Sequence, residues 1–268
     1  MGTEVRKVVR SVLLRLPPVY EALTSQRRYL VYHRLGIVHE PDFRAFPLLV
    51  SRPDPVVLDI GGNEGQSILS IKTVLPNARI TTFEPAGRHE EKLQDLATRM
   101  GGVRIETCAL SDTDGEAEIF WPVYRGRAMH ALASLDPHEV MSWIIPERVY
   151  GYEPDRVSIE SERIDVRRLD SFDLEPDILK IDVQGTEARV LRGALATIEH
   201  SRPVVMSEDL IEDSESHGLL KPLGYDVVTF RKGTFERGST APATNRFLIP
   251  SERVPDVVSR TESRGRVH

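Results

Sequence analysis

The stretch Val56-Val57-Leu58-Asp59-Ile60-Gly61-Gly62-Asn63-Glu64-Gly65 predicts the centre of the fold. Its first half is a short apolar run interrupted by one acid, and a glycine-rich turn follows at once. A strand buried on both faces of a parallel sheet has this pattern, and ligands of such sheets bind where strands end and helices begin. We therefore expect Asp59, Gly61, Asn63 and Gly65 to form one side of a ligand site.

Strands and helices alternate on the C-terminal side of this stretch. The predicted strands are 56–61, 78–83, 103–110, 177–183, 203–207, 225–230 and 245–249. The predicted helices between them are 64–75, 88–100, 186–198 and 214–222. This alternation predicts an α/β fold with a doubly wound, mostly parallel, seven-stranded Rossmann-like sheet. We expect the last two strands to form an antiparallel hairpin at the far edge, and 157–169 to return to an edge of the main sheet.

The flanks and one internal segment have a different character. Residues 1–50 predict a helical extension, which begins with a basic amphipathic helix at 5–16 and continues with a helix at 19–35. Such a helix suits a membrane surface or an acidic partner, but we favour a cap on the main domain or a homodimer contact. The main domain is predicted at 51–250. Within it, 122–157 lacks periodicity and predicts a lid over the site, and 251–268 predicts a polar tail.

Composition narrows the functional classes. The formal net charge is 35 − 41 = −6, so binding to nucleic acid is not expected from the overall charge. The single cysteine, Cys108, excludes an internal disulfide and a cysteine zinc cluster, and its apolar context predicts a buried, inert thiol. No apolar run reaches the ~20 residues that span a bilayer, and the N-terminus lacks the pattern of a secretory signal. The sequence therefore predicts a cytoplasmic enzyme.

Three kinds of nucleotide site compete for the glycine-rich turn. A phosphate loop requires Gly-Lys-Ser/Thr, where this chain has Gly65-Gln66-Ser67. The dinucleotide fingerprint requires a glycine at its third and sixth places, where this chain has Asn63 and Gln66. An acid at position 59 repels a pyrophosphate but suits the ammonium and sulfonium of S-adenosylmethionine. We therefore predict S-adenosylmethionine as the cofactor.

The ends of the other strands complete the predicted cofactor site. Glu84 ends the second strand, 25 residues after Asp59, and can accept the ribose hydroxyls, while Pro85 rigidifies the turn beyond it. The end of the third strand predicts the adenine pocket from Ala109, Leu110 and Ser111. Asp182 and Glu208 end the next two strands and are expected to face the transferred methyl group. The competing interpretation is that these acids cap helices or lie in solvated loops.

Several segments together resemble the FkbM family of class I methyltransferases. They are Asp59 to Gly65, Phe83-Glu84-Pro85, Ala109 to Asp112 with Gly115-Glu116-Ala117, Leu169-Asp170, Leu179 to Glu187, and Val190 to Ala194. The resemblance covers roughly residues 55–210 and implies S-adenosylmethionine-dependent O-methylation of sugar, glycolipid or polyketide hydroxyls. Gln184 stands where the family typically has Glu, which removes one acid beside the site. Gly62 stands where Ala is usual, which we expect to be harmless.

Methyl transfer to a neutral hydroxyl calls for a positioned base. His130 in the lid, Asp182 and Glu208 are the candidates, and for His130 a partly exposed loop position is the competing interpretation. Asp182 and Glu208 also suit Mg²⁺, which would acidify the hydroxyl. His89, just after Pro85, is expected at the surface or at the rim of the cofactor site.

A small-molecule or glycan acceptor is the expected partner, because the lid is rich in side chains that pack on sugar rings and bind hydroxyls. These side chains are Trp121, Tyr124, Arg125, Arg127, His130, Trp143, Tyr150 and Tyr152. The competing interpretation is that the aromatic residues form the lid's own core or a dimer contact. Two rival functions stay open at this point, a nucleic-acid methyltransferase that uses the basic N-terminal helices and a non-catalytic cofactor-binding protein.

Overall fold

The computed structural model describes residues 26–142, 144–147, 151–208, 210–238 and 244–265. Its strands are β1 Val56–Ile60, β2 Arg79–Phe83, β3 Val103–Glu106, β4 Ala109–Leu110, β5 Gly115–Tyr124, β6 Arg127–Ala128, β7 Val157–Arg167, β8 Ile178–Ile181, β9 Val204–Ser207, β10 Tyr225–Arg231, β11 Thr234–Arg237 and β12 Arg246–Pro250. Its α-helices are α1 Gln26–Arg34, α2 Phe46–Leu49, α3 Gln66–Val74, α4 Gly87–Met100, α5 Pro137–Ser142, α6 Glu187–Arg192, α7 Leu195–Ser201, α8 Glu215–Leu220 and α9 Val254–Gly265.

Within the described residues, the main sheet has the strand order β11-β10-β12-β9-β8-β1-β2-β3. Five neighbouring strands of this sheet are parallel to one another, namely β9, β8, β1, β2 and β3. The other three continue the sheet beyond β9 by antiparallel pairing, in the order β12, β10 and β11. The prediction of a doubly wound, mostly parallel sheet is confirmed. The described sheet has eight strands rather than the predicted seven, because the segment between β10 and β12 forms its own edge strand, β11, where a loop was expected.

The strand predicted at 157–169 does not join the main sheet. As β7 it pairs along its whole length with β5, from Gly115 opposite Val166 to Tyr124 opposite Val157. With β4 and β6 these strands form a second sheet in the order β4-β7-β5-β6, which we call the inserted sheet. The predicted strand 103–110 divides accordingly, since β3 belongs to the main sheet and β4 to the inserted sheet. A long antiparallel partner in β5 explains why the alternating pattern of 157–169 does not extend the parallel sheet.

Two other segments also differ from prediction. The helix predicted at 186–198 is interrupted between α6 and α7 at Gly193, where a Cβ atom would lie 1.9 Å from the Ser111 carbonyl oxygen. The polar tail predicted at 251–268 contains α9, whose Val254 and Val257 are buried in the core. These apolar residues recur at a helical spacing that allows the helix to pack on the domain.

The described part of the N-terminal extension packs on the main domain. Helix α1 lies against α3, where His33 Nδ1 and Thr73 Oγ1 are 2.7 Å apart. Farther along the chain, Phe43 and Phe46 are fully buried in the core on one face of the main sheet. These contacts support the predicted cap for residues 26–50. The basic helix predicted at 5–16 lies outside the described residues.

None of the described helices, from Gln26 to Gly265 with the gaps given above, is both long and apolar enough to span a membrane.

Candidate active site

A cleft opens at the carboxyl edge of β1, β2 and β8 and is covered by the inserted sheet and the residues after β6. It encloses about 720 Å³ of space, part of which is open to solvent. It is lined by Ile60, Gly61, Asn63, Phe83, Glu84, Pro85, His89, Ala109, Leu110, Ile119, His130, Ala133, Ser134, Leu135, Asp182, Val183, Gln184 and Thr186. The structure thus brings together most of the residues that the sequence predicts for the cofactor site.

The turn after β1 comes close to β2 and β8 because it has no side chain at position 61. The Gly61 N–H donates to the Phe83 carbonyl at 3.0 Å, and Gly61 has a φ of +83°. A Cβ atom there would lie 2.0 Å from the Asp182 carbonyl oxygen. The left-handed conformation and the close approach both require glycine.

Position 62 does not behave as expected. A Cβ atom on Gly62 would lie 2.1 Å from Thr82 Oγ1, and that hydroxyl donates to Asp59 Oδ2 at 3.0 Å. The replacement of the family's usual Ala by Gly62 is therefore linked to the threonine at position 82. In this chain, glycine at 62 leaves room for a hydroxyl that binds the buried acid.

Asp59 does not line the cleft, which contradicts its predicted contact with the cofactor. Its side chain is fully buried, and its Oδ2 accepts hydrogen bonds from Ser67 Oγ at 2.6 Å and from Thr82 Oγ1. Its Oδ1 lies 3.0 Å from Lys180 Nζ. All of these partners lie inside the protein, so the acid stabilises the floor beneath the turn instead of facing a ligand.

Lys180 is a site residue that the sequence argument missed. It lies beside Asp59 in the register of β1 and β8, and its ammonium also donates to the Gly61 carbonyl at 2.8 Å. Asp182 Oδ2 is 3.7 Å away. Burial by itself lowers the pKa of Lys180, but the carboxylates of Asp59 and Asp182 outweigh it, so the pKa is raised and the lysine is charged. The sequence did contain a signal for this ion pair, because each of two predicted buried strands carries one charged residue, Asp59 in the first and Lys180 in the other.

Glu84 lines the cleft at the end of β2. It is only 8% exposed, and its two oxygens accept hydrogen bonds from the Asn63 N–H at 2.8 Å and the Ala86 N–H at 3.1 Å. Burial raises its pKa, and these hydrogen bonds act in the opposite direction. Each carboxylate oxygen has a second lone pair, so Glu84 can still accept hydroxyl groups from the cleft.

Asp182 lines the cleft at the end of β8, with its side chain 38% exposed. Its Oδ1 accepts a hydrogen bond from Gln184 Nε2 at 2.9 Å. The backbone carbonyl of Gln184 in turn accepts from Ser134 Oγ at 2.7 Å. A donor at position 184 therefore orients Asp182, and a serine of the inserted segment holds the same loop from above.

The opposite wall of the cleft is mostly apolar. Ala109 and Leu110 of β4 and Ile119 of β5 line it, and the first two are residues predicted for the adenine pocket. Ser111 does not line this wall, because its N–H bonds the Arg167 carbonyl and its hydroxyl bonds Asp112. Gly65 also lies outside the cleft, where its lack of a side chain lets α3 begin against Leu96 of α4.

Two histidines line the cleft on the side of the inserted sheet. The ring of His130 packs edge-on against Trp121, with 4.9 Å between the ring centroids. His89, at the start of α4, is 6% exposed, and burial followed by the charge of Arg88 lowers its pKa to about 4. His89 is therefore neutral near pH 7, and it lies in the lining of the cleft instead of at the protein surface.

The aromatic residues of the predicted lid do not face the cleft where the structure describes them. Trp121 is buried with one face against Arg88, at 4.7 Å from the guanidinium carbon to the ring centroid, and its Nε1 donates to Glu160. Tyr124 is buried and stacks on Tyr152. Trp121 belongs to the core of the inserted sheet, and Tyr124 and Tyr152 belong to a smaller cluster with Ile144, as in the competing interpretation. Arg125 pairs with Glu153, neither it nor Arg127 lines the cleft, and Trp143 and Tyr150 lie outside the described residues.

Glu208, the third predicted base, is exposed and does not line the cleft. Partial burial of its carboxyl group and the charge of Asp182 raise the pKa of Glu208, and the two acids follow the ends of the neighbouring strands β9 and β8. Within the described residues, no group of three or more His, Cys, Asp or Glu side chains is arranged to hold a metal ion. The predicted Mg²⁺ site at Asp182 and Glu208 therefore has no support from the geometry.

Cys108 agrees with its predicted role. The thiol is buried, and burial raises its pKa to about 11. A thiol with that pKa is protonated at neutral pH and does not act as a nucleophile.

The chain was found to be similar to a known protein family and to individual known proteins. The family model described as "Methyltransferase FkbM domain" matches residues 59–235. The matched range begins at Asp59 and includes Glu84, Asp182 and the whole inserted sheet.

Several individual proteins are similar to this chain over only part of their own length. The AMB antimetabolite synthetase AmbE of Pseudomonas aeruginosa is 32% identical over 67% of this chain, which corresponds to 10% of AmbE. The 2-O-methyltransferase NoeI of Sinorhizobium fredii is 25% identical over 58% of this chain and 63% of NoeI. A crystal structure of methyltransferase FkbM from Methylobacillus flagellatus has 15% identity and a TM-score of 0.47, covering 78% of this chain and 48% of that chain. This chain thus matches a tenth of AmbE and just under two thirds of NoeI.

Proposed function

Since this chain belongs to the FkbM methyltransferase family, we propose that it transfers the methyl group of S-adenosylmethionine to a hydroxyl of a sugar, polysaccharide or glycolipid. The proposal has three parts, which are the cofactor, oxygen as the acceptor atom, and the class of acceptor. The chain's own residues support the cofactor most and the class of acceptor least.

The observation that carries the proposal is the pair of acids in one cleft. Glu84 at the end of β2 and Asp182 at the end of β8 both line it, on either side of the Gly61 turn that ends β1. A nearly buried carboxylate at the second strand suits ribose hydroxyls, and the apolar wall at Leu110 and Ile119 suits a flat base. These residues fit S-adenosylmethionine without a phosphate-binding group.

The protein's own contribution to the reaction is alignment and proton acceptance. When bound, the cofactor supplies an electrophilic methyl group. Alignment of an acceptor oxygen can supply about 7–11 kcal/mol of the barrier reduction. Asp182 is the proposed base, because it lines the cleft and its Oδ1 is oriented by Gln184. His130 is the second candidate from the same cleft, and the side chains of the apolar wall exclude water.

Oxygen as the acceptor atom is supported by the similarity to NoeI, which is a 2-O-methyltransferase. A hydroxyl of a polyketide or other small natural product is the alternative acceptor, and the similarity to an antimetabolite synthetase favours it. The two acceptor classes share the same transfer chemistry and differ only in what occupies the outer part of the cleft.

The test is a transfer assay with methyl-labelled S-adenosylmethionine against a panel of free sugars, lipid-linked glycans and hydroxylated natural products. Each acceptor is assayed with Mg²⁺ and with a chelator. We expect label in a sugar-containing acceptor, with a rate that the chelator leaves unchanged. Label only in the natural products would favour the alternative, and no label in any acceptor despite cofactor binding would contradict the proposed activity.

A further inference from the structure

Lys180 is buried below the cleft and is not needed as a direct contact for cofactor or acceptor. We propose that it is a positioning residue that fixes the Gly61 turn and the Asp182 carboxylate relative to each other. The inference rests on the proposed function, because it concerns the same cleft. It assigns a role to a charged side chain that lines none of the cleft surface.

The contacts of the ammonium show what it joins. Lys180 is 5% exposed, and its Nζ lies 3.0 Å from Asp59 Oδ1 and 2.8 Å from the Gly61 carbonyl oxygen. The Ile60 carbonyl oxygen is 3.4 Å away, and Asp182 Oδ2 is 3.7 Å away. One group therefore contacts β1, the turn after β1 and the loop after β8.

A purely structural role for Lys180 would need only its pairing with Asp59. The carboxylate of Asp59 already accepts two hydroxyls on Oδ2, and a single ion pair at Oδ1 completes its environment. The ammonium has three donors, and the Gly61 carbonyl takes one of the others. That carbonyl belongs to a residue of the cleft wall, so the lysine acts on the site as well as on the core.

Lys72 provides a matched comparison within the chain. It is also buried, at 6% exposure, and its Nζ donates to the Ala78 carbonyl at 2.7 Å, away from the cleft. Burial lowers its pKa, whereas the two nearby carboxylates raise that of Lys180. Replacing either lysine removes a buried ammonium, but only Lys180 contacts site residues.

The experiment compares three variants, Lys180→Met, Lys72→Met and the double variant Asp59→Asn/Lys180→Met. Thermal unfolding measures stability, and calorimetric titration with S-adenosylmethionine measures the Kd. Lys180→Met leaves Asp59 buried without its cation and is expected to lower the melting temperature most. The double variant removes both charges and is expected to recover much of that loss.

The affinity for S-adenosylmethionine distinguishes a positioning role of Lys180 from a role in stability alone. We expect the Kd of the double variant to stay at least tenfold weaker than that of the natural protein, while Lys72→Met stays within twofold. A double variant with recovered stability and the natural Kd would overturn the proposal. If the double variant does not fold, Asp59→Asn/Lys180→Gln takes its place, with the same expected and contradicting results.

Amide hydrogen exchange provides a reading that needs no cofactor. The Gly61 N–H bonds the Phe83 carbonyl, and the Asp182 N–H bonds the Ile60 carbonyl. We expect both amides to exchange at least fivefold faster in the double variant than in Lys72→Met at equal stability. Unchanged exchange would overturn the positioning role even if the natural protein did not bind S-adenosylmethionine, a result that would count against the proposed function alone.

Discussion

The main sheet and the inserted sheet contribute different chemistry to the same cleft. The main sheet provides Glu84 and Asp182, both fixed by hydrogen bonds within a few residues of a strand end. The inserted sheet provides the apolar side chains of Ala109, Leu110 and Ile119, while its large aromatic residues pack into its own core. The difference supports the proposal that the acids of the parallel strands bind polar groups of the cofactor, while the insertion covers the site and supplies its apolar wall.

The largest expected effect concerns the turn of the main sheet. Gly61→Ala places a Cβ atom 2.0 Å from the Asp182 carbonyl oxygen in a left-handed backbone conformation. We expect binding of S-adenosylmethionine to weaken by at least 100-fold, measured by calorimetric titration. Gly87→Ala is the control, since nothing lies within 4 Å of a Cβ atom at that position. Natural affinity in Gly61→Ala would contradict the location of cofactor recognition.

The next effect concerns chemistry rather than binding. Asp182→Asn keeps the size of the side chain but removes the proposed proton acceptor, so we expect transfer to slow by about 10²–10⁴-fold. The Kd for the cofactor should change by only a few-fold. Glu208→Gln is the control, because Glu208 is exposed outside the cleft, and we expect less than a twofold change in rate. A larger loss for Glu208→Gln than for Asp182→Asn would reverse the assignment of the base.

The pH dependence of stability compares two histidines, His89, which lines the cleft, and His39, which does not. Burial, followed by the charge of Lys180, lowers the pKa of His39 to about 4, and burial also lowers the pKa of His89 to about 4. Because the unfolded chain binds these protons near pH 6.5, stability should fall as the pH drops from about 6.5 to 4.

Each histidine accounts for on the order of 3 kcal/mol of that loss at most. Urea unfolding of His39→Gln and His89→Gln between pH 7 and 4 measures each contribution. We expect a flatter pH dependence in both variants. An unchanged slope in one of them would mean that its ring is hydrated in the native protein.

The smallest effect concerns the contact between the two sheets. Arg88 of α4 lies 4.7 Å from the ring centroid of Trp121 and 3.6 Å from Glu162, both in the inserted sheet. Arg88→Ala should lower the free energy of unfolding by about 1–2 kcal/mol and change the cofactor Kd by less than threefold. Arg99→Ala, which removes an exposed pair with Asp95, is the control, with a change below about 0.5 kcal/mol. A large loss of cofactor affinity in Arg88→Ala would show that recognition depends on how the insertion is held against α4.

The sequence correctly predicted those cleft residues that come directly after the end of a strand. Periodicity located β1, β2 and β8 to within two residues at each end, and the acids at Glu84 and Asp182 lie where parallel strands bring them together. The same reasoning failed for Asp59 because it lies before the end of its strand, where its side chain points into the core. In the strand register, two residues separate the buried Asp59 from the position that corresponds to Glu84 and Asp182, which line the cleft.

The parts that could not be predicted depend on partners distant in sequence. The pairing of β5 with β7 joins segments about forty residues apart, and single-segment patterns do not specify which sheet a strand joins. The role of Lys180 depends on its lying between Asp59 and Asp182 in three dimensions. The aromatic residues after β4 have a composition that suits sugar binding, but their burial in the inserted sheet depends on packing that composition does not determine.

The central claim is that the cleft between Glu84 and Asp182 binds S-adenosylmethionine. Calorimetric titration of the natural chain and of Glu84→Ala tests it most directly. We expect one site per chain in the natural protein and an affinity at least tenfold weaker in Glu84→Ala, at a melting temperature that shows both proteins to be folded. No heat from the natural protein, or equal affinity in the two proteins, would contradict the claim.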